Sequence, residues 1–301
     1  MSEHYPRFRI YAESGYTLVR ESVHFCFYMP PAHEEATQGL QRALDVYRLA
    51  VGPEALGVYG DPDGEWQELD EAGWELIRNR LREGKWGITQ LRDASRENRY
   101  AFEYFGKPAD SPQLKRSPAA MCAAYFRIPT ELLEKQGPGW VHALALQLAA
   151  PLPFSSGHVG LQLAGDLDLA GVMQKVNPGC FRYPGLDILW LEHVSWRMGT
   201  RVRGPAWLTF LGQPALSGLG GVAGLRSQLH SLGTTIEPLD SERAIITLGT
   251  WPEAGDLEQG KTLPAYRELA RILDPWLYRE EHGLQGFTPE EALLWERRFL
   301  D

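Results

Sequence analysis

Gly255-Asp256-Leu257-Glu258-Gln259-Gly260-Lys261-Thr262 matches the glycine-lysine expression of a phosphate-binding loop letter for letter. Such a loop aims backbone N–H groups at phosphates where a strand runs into a helix. Here the nearest predicted strand ends at Leu248, and Trp251-Pro252 intervene. Asp256 and Glu258 would set negative charge against the phosphate oxygens, and too little chain follows to build the usual parallel sheet. A nucleotide-dependent enzyme using Gly255–Thr262 therefore stands as the alternative reading, against its context. Gly218-Leu219-Gly220-Gly221-Val222-Ala223 is a second glycine cluster, with a strand upstream and Asp240 about twenty residues on, as a dinucleotide fold asks. Gln213 to Ser217 separate strand from glycines, so the tight turn is missing, and close packing of a helix on a sheet explains the glycines.

Other constellations also lack a partner. Asp63, with Glu83-Gly84-Lys85 further on, carries the residue types of a carboxylate-and-lysine nuclease core, which would hold Mg²⁺ near a phosphate. Asp63 falls in a predicted loop and Glu83-Lys85 at a helix end, so adjoining strands do not present them. His24 and Cys26 share one strand face and His158 lies near another strand; two ligands fall short of the three or four a metal needs. Glu34-Glu35 and Glu290-Glu291 sit at helix starts, where the helix dipole accounts for them. No catalytic residue, metal or cofactor is expected.

The elements that would carry any site follow from pattern and punctuation. Val23–Met29 reads as a strand closed by Pro30-Pro31. Ala36, Leu40, Ala43, Leu44 and Tyr47 share a helical face. Val51–Asp70 reads as a loop, and Asp70 caps a helix with Trp74, Ile77 and Leu81 as its apolar stripe. Strands are predicted at Trp86–Leu91, Tyr100–Phe105, Met121–Ile128 and His158–Leu163. A helix from Thr130 is interrupted at Gly137-Pro138-Gly139 and restarts with Trp140, Leu144 and Leu148 inward. Further on come a strand at Trp207–Leu211, a glycine-rich helix at Leu216–Leu232 ended by Gly233, and a hairpin of Thr234–Leu239 with Ala244–Leu248. Pro264 opens a helix bearing Tyr266, Leu269, Ala270 and Leu273, and Thr288-Pro289-Glu290-Glu291 is a capping box. This order predicts an α+β fold of largely antiparallel sheets with helices packed on them, in two ferredoxin-like halves. The halves would be 1–165 and 166–301, or one compact domain, with Gly165–Pro205 as connector.

Composition narrows the function. At 301 residues, 44% hydrophobic and 23% charged, the chain has room for a sizeable core. Its net charge of −9 opposes direct nucleic-acid binding and suits solubility or a basic partner. Three dispersed cysteines, Cys26, Cys122 and Cys180, imply no disulfide framework. Met1–Ile10 has no apolar signal core, and the best apolar run, Val141–Leu152, holds His142 and Gln147, so a cytoplasmic location without a membrane span is expected.

Two segments, Phe181-Arg182-Tyr183-Pro184-Gly185-Leu186-Asp187 and Ala206-Trp207-Leu208-Thr209-Phe210-Leu211-Gly212, resemble in order and spacing the core motifs of a type VI secretion immunity family, long a domain of unknown function. Gly220-Gly221 with Leu225, Gly249-x-x-Pro252-x-x-Gly255-Asp256, and Tyr266 after Pro264 extend the similarity from about Tyr16 to Pro275. It looks close to the TsiT-type members. The resemblance implies no catalytic residues and a cognate secreted effector toxin as partner, expected to be a restriction-endonuclease-like nuclease. Occlusion of the toxin or blocking of its assembly would neutralise it; a secretion-system adaptor is the other alternative, and a homo-oligomer is open.

From Leu49 to Ile77 there is no Lys or Arg. Glu54, Asp61, Asp63, Glu65, Glu68, Asp70, Glu71 and Glu75 fill the span, with Tyr59, Trp66 and Trp74 among them. A nuclease presents a positive groove, so acid supplies attraction and aromatics supply anchors; a solvated loop with helix-cap carboxylates is the plainer reading. Asp61, Asp63, Glu65, Trp66, Glu68, Asp70 and Glu71 are the expected toxin contacts. Phe181, Arg182, Pro184, Gly185, Asp187, Trp207 and Gly212 are expected to hold the fold: a Pro-Gly turn, aromatics packed in the core and an Arg182–Asp187 pair, unless these residues face the toxin.

Overall fold

The strand expected over Val23–Met29 draws in the apolar and branched residues before it and begins at Thr17. The computed structural model describes residues 3–30, 33–83, 87–280 and 283–301. Along them run β1 (Arg9–Tyr11), β2 (Thr17–Met29), α1 (His33–Val51), β3 (Val58–Gly60), β4 (Trp66–Glu68), α2 (Glu71–Arg82), β5 (Ile88–Arg92), β6 (Ala101–Phe105), β7 (Cys122–Pro129), α3 (Thr130–Gln136), α4 (Pro138–Ala149) and β8 (Ser156–Gly165). The rest are α5 (Val172–Arg182), α6 (Leu191–Ser195), β9 (Leu208–Leu211), α7 (Ala215–Gly218), α8 (Gly221–Gln228), β10 (Thr234–Pro238), β11 (Ala244–Leu248), α9 (Pro264–Leu273) and α10 (Pro289–Arg297). The fold is α+β with antiparallel strand pairing between neighbours such as β5 and β6 or β10 and β11. Every residue of β2 except Leu18 is buried, as expected of a strand covered on both faces.

The chain divides into two compact units, each discontinuous in sequence. The first comprises Met1–Val23, His158–Leu189 and Arg201–Asp301; the second comprises His24–Gly157 and Trp190–Thr200.

In the second unit the strands follow the order β7-β6-β5-β3-β4, leaving β4 at an edge. The face of α1 expected from spacing is the one buried, and α1 packs on α2, α4 and β7. Leu144 and Leu148 of α4 are buried as expected, whereas Trp140 is half-buried. Ile77 and Leu81 of α2 are buried, and Trp74 is half-buried. The strand expected from Trp86 is described from Ile88 onward; Trp86 lies outside the described residues. Residues of α6 pack on β6 and β7, held where Met121 N–H donates to the Ser195 carbonyl at 2.7 Å and Gly199 N–H to the Ala119 carbonyl at 2.7 Å.

In the first unit the order is β10-β11-β9-β8, followed by the start of β2. The first strand, β1, pairs with that start, and buried Glu21 on β2 is answered by Arg7 at 3.1 Å, Arg9 at 3.3 Å and the Phe8 N–H at 3.0 Å. Tyr266, Leu269, Ala270 and Leu273 are buried on α9, and the Thr288–Glu291 capping box forms at α10.

Three expectations are corrected. The glycine-rich helix is two helices, α7 and α8, divided at Gly220, whose φ of 81° is a left-handed conformation that stops a helix. The second of these ends at Gln228, short of Gly233. The Gly165–Pro205 connector carries α5 and α6, and Asp187 forms a parallel bridge to Gln162 of β8. The Val51–Asp70 loop holds β3 and β4, three residues each, too short to show an alternation. Among the described residues, no helix is long and apolar enough to cross a membrane.

Candidate functional site

The acidic span folds into a hairpin at the sheet edge of the second unit. Asp61 builds its turn: one carboxylate oxygen accepts from Asp63 N–H at 3.0 Å and Glu65 N–H at 2.9 Å, the other from the Gln67 amide at 2.9 Å. These donors, the Gln67 amide first, hold the Asp61 carboxyl below its usual range. Asp63, Glu65, Trp66 and Glu68 are exposed around the hairpin, and Asp70, Glu71 and Glu75 are exposed at the start of α2. Asp70 also caps that helix, accepting from Gly73 N–H at 2.8 Å. Seven expected contacts thus gather on one hairpin and the adjoining helix start. Two of them, Asp61 and Asp70, hold backbone as well.

The cation-free span does not make a cation-free face. Arg92 of β5 lies 4.7 Å over the Trp66 ring, and Arg48 of α1 lies 3.7 Å over the Trp74 ring. Arg80 donates to the Gly60 carbonyl at 3.1 Å. These arginines stiffen the aromatics and the turn, and Asp63, Glu65 and Glu68 stay exposed. Trp66 still shows 42% of its surface, enough for an anchor.

The family motifs lie in the first unit, and they join elements. Phe181 and Arg182 end α5, and the Leu186 N–H closes a turn onto the Tyr183 carbonyl at 2.9 Å across Pro184-Gly185. Gly185 is required by approach: a Cβ there would sit 2.1 Å from the Glu253 carbonyl oxygen. The expected Arg182–Asp187 pair does not form. Arg182 grips Asp256 with two bonds of 3.1 and 2.8 Å and meets Glu258 at 2.5 Å. Asp187 instead accepts from Arg298 at 3.2 Å and Arg203 at 3.4 Å, and its backbone bonds Leu161 and Leu163 of β8. The backbone of Asp187 is already joined to β8, while Arg182, the last residue of α5, is engaged by Asp256. Burial pulls the Arg298 guanidinium down to about 10. Phe181 and Tyr183 are half-buried, not core; Phe181 meets Phe287 edge-on at 5.8 Å. Trp207 is buried and donates to the Gly249 carbonyl at 3.2 Å, and Gly212 is buried at the end of β9.

Gly255–Thr262 is a closed turn. Asp256 and Lys261 exchange backbone bonds at 2.9 Å, Asp256 accepts from Gln259 N–H, and the Gly260 and Thr262 N–H groups bond within the segment. Five of the eight N–H groups, those of Asp256, Gln259, Gly260, Lys261 and Thr262, are thus already taken within the turn. Asp63 is exposed in the hairpin turn and Glu83 ends α2; Gly84 and Lys85 lie outside the described residues. His24 is buried and stacks on Tyr125 at 6.3 Å, and His158 is buried 4.0 Å from Asp187. Sequence reasoning missed Arg203 and Arg298, because nothing near either residue marks it as a partner of Asp187, 16 and 111 positions away.

Comparison with known proteins places this geometry. No curated protein sequence matches the chain. Among solved structures, one described as Pseudomonas aeruginosa T6SS protein PA0821 superposes with a TM-score of 0.77, at 17% identity, over 98% of this chain and 88% of that one. At that identity the likeness is one of fold. The family model described as type VI immunity for VRR-NUC matches residues 39–299, a span that includes the hairpin, both motifs and the Arg182–Asp256 clasp. The chain therefore belongs to the type VI immunity family for VRR-NUC.

Proposed function

We propose that this protein binds a cognate type VI secreted toxin of the VRR-NUC nuclease class and neutralises it by contact alone. Family membership over residues 39–299 carries the reading. It acts as a stoichiometric inhibitor in the cytoplasm, with no reaction of its own. The exposed carboxylates Asp63, Glu65, Glu68, Asp70 and Glu71, with Trp66 among them, supply a surface that a nucleic-acid-binding groove attracts. Asp61 holds that surface in shape. Binding there occludes the groove or prevents the toxin from assembling. The test is co-expression with a candidate cognate VRR-NUC nuclease toxin, followed by co-purification. Survival with a stable complex is expected; continued killing with no complex would sink the reading.

A further inference from the structure

The first unit contains a groove of about 740 Å³ that the acidic hairpin does not share. Its wall runs from the chain start at Glu3–Pro6 through Leu248–Gly249 to the turn at Gly255–Tyr266. Tyr5, Leu248, Leu263 and Tyr266, all buried, form an apolar floor. Leu232 stands at the mouth, 101% exposed, beside a surface able to receive apolar groups. The volume falls in the range of sites that hold a compact ligand or a short anchoring segment.

Charge decides the kind of occupant. Three carboxylates line the groove, Glu3, Glu253 and Asp256, against one lysine, Lys261. Arg182 answers Asp256 from outside the wall, which leaves Glu3 and Glu253 as the acid at the rim. His4, also in the lining, pairs with Glu253 at 2.6 Å and with Glu3 at 3.8 Å and stacks on Trp251, so one histidine orients both rim acids. The Asp256, Gln259, Gly260, Lys261 and Thr262 N–H groups are bonded within the turn, which disfavours a phosphate.

We propose that this groove is a second docking site for the toxin, taking a short segment with an aliphatic or aromatic anchor flanked by Lys or Arg. The anchor enters over Tyr5 and Tyr266 and covers Leu232, while the flanking cations meet Glu3 and Glu253. This rests on the toxin-binding reading and adds a surface to it.

The experiment measures association of the purified chain with its cognate toxin by biolayer interferometry. Wild type, Leu232→Ser, the double variant Glu3→Lys/Leu232→Ser, and Leu293→Ser are compared. Leu293 is 61% exposed and lies outside the groove. Leu232→Ser is expected to weaken binding tenfold or more, mostly through faster dissociation, and the double variant further. Leu293→Ser is expected to bind as wild type, and all melting temperatures are expected to agree, since none of these side chains is buried. If wild type binds and Leu232→Ser binds equally well, or Leu293→Ser loses as much, the groove is not a toxin contact. If wild type forms no complex, the toxin-binding reading itself falls. Two further results would also overturn the proposal: a wild-type dimer that Leu232→Ser dissolves with toxin affinity unchanged, and ATP binding abolished by Lys261→Ala.

Discussion

Lys107 is 2% exposed and, among the described residues, its ammonium forms no ion pair; it donates to Ser195 Oγ at 2.8 Å and sits 4.9 Å over the Trp196 ring. Burial pulls its pKa down to about 8. Between that value and the ordinary lysine range, the unfolded chain holds a proton that the folded chain has released. Stability from this residue therefore rises with pH across that window, and below it the charged lysine is a constant burden. Relative to Lys107→Met, wild type should gain about 3 kcal/mol from pH 8 to the ordinary lysine pKa, read by urea unfolding of both proteins across the window. A flat difference would mean that the ammonium is solvated. Asp256 behaves oppositely: Arg182 holds its carboxyl low, so the clasp is present above the usual carboxylate range and is lost as pH falls through the folded value. A double-mutant cycle of Arg182→Ala and Asp256→Ala should show favourable coupling at pH 7 that disappears in acid.

Asp70 lets capping and charge be separated on one element, α2. Asp70→Ala should cost about 1 kcal/mol of stability, while Asp70→Asn, which keeps the cap, should cost little. If the hairpin face contacts toxin, both variants should slow association alike, since both remove the charge. A Glu65→Lys/Glu68→Lys variant should slow it at least tenfold at low salt with its melting temperature unchanged, because both side chains are exposed. At this scale the sequence is most readable where one face is buried. The stripe of α1, the four apolar residues of α9 and the α10 capping box were legible because local spacing alone determines them. The hairpin strands were not, because three residues carry no period. The division of α7 from α8 hid among glycines that fit a closely packed helix equally well. The acidic residues of the candidate site could be read from the chain, but not the three arginines that brace Trp74, Trp66 and the Gly60 carbonyl beside them, which arrive from α1, β5 and α2.

Over the whole molecule, a net charge of −9 makes attraction to a basic partner long-ranged and therefore screened. Raising ionic strength from ~0.05 to ~0.5 M should cut the association rate for the toxin about tenfold or more and leave dissociation nearly unchanged. Stopped-flow mixing would show it, and a salt-independent rate would place the contact on uncharged surface. The family motifs were visible in the sequence as a pattern, yet their partners Asp256, Arg203 and Arg298 were not, because long-range pairings leave no local trace. The partition of the chain has a further consequence during synthesis. The first unit needs Met1–Val23 together with Arg201–Asp301, and the Ala254 N–H closes on the His4 carbonyl at 2.8 Å. His4 and its partner Glu253 lie 249 positions apart, so the early segment must wait for the later one before these contacts can close. Unlike a domain built from one continuous segment, the first unit cannot close while its middle segment alone has been made, because its core is shared among three separated stretches of chain.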